Sequence, residues 1–219
     1  MLMTFLMLFG VFVLCTVLHI GSMAAIGWLI GAPIERVSLF FGPLIHSIRI
    51  RNVSFDIRAY PLGGFVKFTE DSFKTIHPIR RTFVAASGCI SLLLVSLGIL
   101  GLAQGLERFA NGFYQLFAGA LFPRSVGSRL LLNLYYLTAR GHLIATVGVV
   151  AGKMAAVNLL PLPTLNGGEI LGLLIDAIKP VPESIRGRLH LIGFLIFLPI
   201  VLLWLVALLF FGRTLFAGG

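Results

Sequence analysis

The chain has 219 residues, 58% hydrophobic and 11% charged, with a mean hydropathy of +1.02, whereas an ordinary soluble domain carries about 25% charge. This excludes a soluble globular protein and predicts an α-helical integral membrane protein. The net charge of +9 does not reside in a basic patch interleaved with aromatics, so nucleic acid is excluded as a partner and the lipid bilayer is the expected one.

In chain order, residues 1–34, 82–106 and 191–212 carry no Asp, Glu, Lys or Arg, and 141–161 is interrupted only by Lys153. Each reaches the roughly 20 apolar residues needed to cross a bilayer. About four transmembrane helices are predicted, over about 3–30, 82–104, 142–161 and 190–212. They form a single membrane domain across 1–219, with no soluble peptide-binding domain. The first run lacks a basic leader and is read as a retained helix.

Between the first two helices the period changes. Stretches 37–41, 46–50, 53–58 and 64–68 are short, rich in Val, Ile and Phe, and separated by Gly42-Pro43, Asn52, Pro61 and Gly63-Gly64. They predict a small membrane-associated β-hairpin sheet over about 37–69. The strict alternation of Val53-Ser54-Phe55-Asp56-Ile57-Arg58 predicts one apolar and one wet face. Uncharged 109–123 is too short to span and reads as an interfacial or re-entrant helix anchored by Phe113, Tyr114 and Phe117.

Lys and Arg are concentrated in the first loop, from Arg36 to Arg81, and again at Lys179, Arg186 and Arg188, with fewer between the second and third helices. By the positive-inside rule the first and third loops face the cytoplasm and both termini lie on the other side. Cys15 and Cys89 sit in apolar helices and imply no disulfide.

His19 lies in the first helix at a depth where an ionisable group is either functional or a neutral imidazole bonded to a neighbouring helix. The third helix ends in Asn158-Leu159-Leu160-Pro161-Leu162-Pro163-Thr164-Leu165-Asn166-Gly167-Gly168-Glu169. Such a break lines a cavity or makes a membrane exit turn. His46, His77, His142 and His190 form no i, i+4 pair, and Glu169 and Asp176 read as surface polarity.

These motifs resemble, over nearly the whole chain, the site-2 protease family of intramembrane zinc metalloproteases. Gly31-Ala32-Pro33-Ile34-Glu35-Arg36-Val37-Ser38-Leu39-Phe40-Phe41-Gly42-Pro43 is similar to the family's G-x-x-V-x-x-F-x-x-G-F-G-P. Pro61-Leu62-Gly63-Gly64-Phe65-Val66-Lys67 is similar to P-L-G-G-Y-V-K, and Asn158 to Gly168 to N-L-L-P-I-P-x-L-D-G-G, with a weaker match at Ala86-Ser87-Gly88-Cys89. The resemblance implies a groove for an unwound transmembrane peptide, edged by the hairpin and involving Gly63, Gly64, Phe65, Asn158, Pro161 and Pro163. It also implies the bacterial inner membrane as compartment.

At the zinc motif the chain departs from the family. H-E-x-x-H offers two imidazoles to zinc from one helix face and a Glu as general base; here the pentad is His19-Ile20-Gly21-Ser22-Met23. Ile20 replaces the base, Met23 the second His, and Asn166 the Asp of L-D-G, so His19 and Asn166 remain as remnants of the metal site. The expectation is a non-catalytic subunit with no cofactor that binds another membrane protein or a transmembrane peptide. The alternative is an active zinc metalloprotease with a remodelled metal site.

Overall fold

The computed structural model describes residues 1–217. The first uncharged run forms α1 (Leu2–Leu29). Two strands follow, β1 (Ile34–Ile50) and β2 (Val53–Phe68), then a short α2 (Glu70–Thr75). The second run forms α3 (Pro78–Leu100), opened by Pro78 in its first turn and by the His77 ring, which accepts the Ile79 N–H at 3.3 Å. Gly101, at φ 79°, ends α3 and sends the chain back as α4 (Leu102–Leu121). The helix in the aromatic segment thus begins at Leu102, well before 109. A π-helical turn (Pro123–Gly127), α5 (Ser128–Ala139) and α6 (Leu143–Asn158) come next, then α7 (Asn166–Ile178) and α8 (Glu183–Ala217).

Among the described residues three helices are long and apolar enough to cross a membrane, Leu2–Leu29, Pro78–Leu100 and Ser184–Phe216. The fourth apolar run yields only the 16 residues of α6. Helix α6 stops at Asn158 because Pro161 disfavours helix at the residue before it and supplies no N–H. The bundle core joins α1, α3 and α6 through Val11, Cys15, Leu92, Ala151 and Ala155.

The four apolar stretches expected between α1 and α3 are merged into two bent strands. Positive φ at Phe40 (72°) and Gly42 (84°) bends β1, and Gly63 (88°) bends β2. Segment 44–50 meets 53–58 as a hairpin, through Ile50↔Val53, Ile48↔Phe55 and His46↔Ile57. Segment 34–39 lies between two parts of β2, with Val37 opposite both Phe55 and Val66. The sheet is held along α1 from Gly27, against which the Phe68 ring packs, to Phe9, whose ring centroid is 6.2 Å from that of Phe40. Eighteen residues of helix rise about 27 Å, close to the hydrocarbon thickness of a bilayer.

The face expected to be wet is buried at Asp56. In the alternating stretch the polar residue is buried: Asp56 is 5% exposed, while Phe55 and Ile57 are 42% and 44% exposed. Asp56 accepts from Ser47 Oγ (2.7 Å) and Arg58 Nη2 (3.3 Å) and pairs with Arg36 Nε (3.4 Å). Arg58 also donates to Ser38 Oγ (3.1 Å) and the Gly42 carbonyl (2.8 Å). The polar face can be inward because its groups satisfy one another there.

Candidate functional site

Helix α1 carries His19 and Met23 one turn apart on one face. That face meets α3 at Gly88, where a Cβ would come within 2.5 Å of His19 Nδ1 and 2.8 Å of the His19 carbonyl oxygen. Only glycine lets the two helices approach this closely. The third contributor, Asn166, stands at the start of α7. Gly167 and Gly168 hold that start against the preceding turn, since Cβ atoms there would collide with the Leu159 and Leu160 carbonyls and with the Leu162 carbonyl.

Sequence-distant His19, Met23 and Asn166 are thereby brought together. Asn166 Nδ2 donates to the Ala85 carbonyl at 2.8 Å and lies 3.4 Å from Met23 Sδ. His19 Nε2 and Asn166 Oδ1 are 3.2 Å apart. The Ala85 carbonyl only accepts, so the amide nitrogen must face it, and Oδ1 must face His19. The His19–Asn166 contact is a hydrogen bond when the ring carries its proton on Nε2. Nδ1 is buried against Gly88.

This donor set does not fit zinc. A zinc-bound imidazole presents a bare nitrogen lone pair to the metal, and a catalytic site needs three such ligands with an open position. Here the group beside His19 is a neutral amide that turns its N–H toward a thioether, and no carboxylate takes part. Among the described residues no group of three His, Cys, Asp or Glu is placed to hold a metal. Ile20, 4% exposed, points its methyls at the sheet: a Cβ at Gly64 would lie 3.3 Å from Ile20 Cγ2 and 2.5 Å from the Ser38 carbonyl oxygen.

The groove positions are dispersed. Gly63 turns β2 beside the Phe41 ring, and Phe65 packs on Phe41 (centroids 5.7 Å) beneath the Arg58 guanidinium (5.9 Å). Asn158 bonds back to the Met154 carbonyl of its own helix at 2.9 Å. Pro161 and Pro163 line a cavity of about 160 Å³ with Glu169, Ile175, Arg186 and His190.

Asp176 is not surface polarity. Its side chain is 8% exposed, pairs with Arg186 and with Arg81 (3.9 Å), and accepts the Val181 N–H at 3.0 Å. It ties the start of α3 to α7 and α8. The Ala85 carbonyl escaped the sequence reading, Gly88 entered it only through the weaker motif match, and Asp176 only as surface polarity.

A model of peptidase family M50 matches residues 6–200. The chain belongs to peptidase family M50, the site-2 protease family. It is similar to Zinc metalloprotease RasP of Geobacillus kaustophilus, 34% identical over 110 residues covering 47% of this chain and 25% of that protein. A Putative zinc metalloprotease of Thermotoga maritima is 27% identical over 138 residues, 62% of this chain and 25% of that protein. Membrane metalloprotease ARASP, chloroplastic, of Arabidopsis thaliana is 27% identical over 82 residues, 32% of this chain and 18% of that protein. The matched stretch thus spans a quarter or less of these relatives. Membership of family M50, with its membrane-embedded fold, agrees with the three long apolar helices.

Proposed function

We propose that this M50 chain has lost zinc-dependent proteolysis and acts as a non-catalytic subunit that binds or assembles with another membrane protein or a transmembrane peptide. The observation that carries the reading is Asn166, whose amide engages His19, Met23 and the Ala85 carbonyl at once. Groups standing at the metal positions satisfy one another, and Ile20 offers no acceptor for the proton that water attack must release. The sheet edge and the proline break that frame the groove are kept, and an exposed extended segment recruits a peptide by strand addition. In the same reading four helices cross the bilayer, α6 completing its span through the 159–165 turn. Both termini lie on the non-cytoplasmic side of a bacterial inner membrane.

The decisive test is metal content of the detergent-purified protein by elemental mass spectrometry, with His19→Ala as control. No stoichiometric metal is expected in either sample. About one zinc per chain in the wild type, absent from His19→Ala, would overturn the reading and favour a remodelled zinc metalloprotease. The groove is tested separately by crosslinking in membranes: Phe65→Asp and Gly64→Pro are expected to abolish capture of the partner, and unchanged capture in both would remove the hairpin from the binding surface.

A further inference from the structure

Helix α4 carries a polar stripe of Gln104, Glu107, Arg108, Asn111 and Gln115, a spacing that places all five on one face. This face meets α6 at close range. A Cβ at Gly112 would lie 3.2 Å from Lys153 Cα, and a Cβ at Gly152 would lie 2.7 Å from Ser96 Oγ and 3.5 Å from Arg108 Cβ. Arg108 and Lys153 are therefore neighbours, both half-buried, with α3 closing the crevice through Ser96. Among the described residues neither cation has an ion pair or hydrogen bond to a protein group. Glu107, the carboxylate on the stripe, is exposed and accepts from Asn111 at 3.4 Å.

Two like charges side by side at a helix interface of a membrane protein cost free energy unless an anion joins them. A phosphate group meets that requirement by neutralising both cations. On its outer side α4 exposes Leu102, Leu106 and Tyr114, an apolar wall beside which acyl chains pack.

We propose that Arg108 and Lys153 form a binding site for a phosphate group, of the kind carried by an anionic lipid head group or free in solution. The full chain in zwitterionic detergent is titrated with phosphatidylglycerol, phosphatidylcholine or inorganic phosphate, following thermal unfolding and bound mass by native mass spectrometry. Phosphatidylglycerol is expected to raise Tm and remain bound, and phosphatidylcholine to do neither. Arg108→Gln and Lys153→Gln each weaken the apparent affinity about fivefold, whereas Arg49→Gln, an equal loss of charge on the exposed hairpin, leaves it unchanged. A response to inorganic phosphate with the same dependence on the variants supports the site with the free anion as its source; a response confined to phosphatidylglycerol supports it with the lipid as source. Lys153→Arg keeps the charge and is expected to keep binding, which separates loss of the site from loss of the fold. Equal affinity in wild type, Arg108→Gln and Lys153→Gln, or no response to either phosphate source, overturns the proposal.

Discussion

Asn166 is the residue on which the interior polarity of the bundle converges, because its amide both accepts and donates where an Asp carboxylate would only accept. Asn166→Leu removes the partners of His19 Nε2 and the Ala85 carbonyl together. The expected loss is about 1–2 kcal/mol, the range for interhelical hydrogen bonds in membranes and buried orphaned groups, read from unfolding in detergent. Asn166→Asp satisfies His19 but withdraws the amide N–H from Met23 and from the Ala85 carbonyl, and Ile20 and Met23 remain. This variant alone is expected to bind no stoichiometric zinc, which elemental mass spectrometry checks. Gly88→Ala places a methyl 2.5 Å from His19 Nδ1 and is expected to cost about 1–3 kcal/mol as α1 and α3 are forced apart.

Between elements, Asp176 joins three helical segments through one carboxylate. Burial opposes its ionisation, but the Val181 N–H, Arg186 and Arg81 together outweigh that and hold the carboxyl below the usual Asp value of 3.8. With the folded value below the unfolded one, the stabilisation is fully present above the unfolded value and is lost as pH falls through the folded one. Asp176→Asn is expected to cost about 1–3 kcal/mol at pH 7, and wild type and variant should converge in stability as the pH is taken below 3.8. A gap that persists at acid pH would mean the carboxylate charge is not what ties α3 to α7 and α8. The sheet teaches a related lesson about reading sequence. Alternation in 53–58 correctly marks a strand, yet periodicity alone does not say which face is inward, and burial of the Arg36–Asp56–Arg58 cluster depends on residues brought from β1.

For the whole molecule, α8 is the least enclosed long helix, with 11% of its apolar window buried against 33% for α1 and α3. Besides the Asp176–Arg186 pair, its anchors include Gly193 against Pro163, the Trp204 indole N–H donating to the Leu116 carbonyl at 2.9 Å, and Phe211 beside Phe5 and Tyr135, at 6.0 Å from each. Trp204→Phe keeps most of the ring but removes the hydrogen bond and is expected to lower stability by about 1 kcal/mol. Thermal unfolding in detergent measures it, and a larger effect than Asn166→Leu would place the dominant interhelical tie at α4 and α8 rather than at His19.

The sequence by itself determined the membrane class, three long apolar helices, the position of the sheet and the family, because hydropathy, turn residues and motif spelling are local properties. Only the tertiary structure decided that Asn166, 147 positions from His19, locks it together with Met23 and the Ala85 carbonyl. It alone decided that Asp56 and Asp176 are buried among arginines and that Arg108 and Lys153 share a crevice. Each of these depends on side chains from separate helices or strands meeting at hydrogen-bond range, and the packing that brings them there is set by glycines such as Gly88, Gly112 and Gly152, whose importance lies in what another segment places against them.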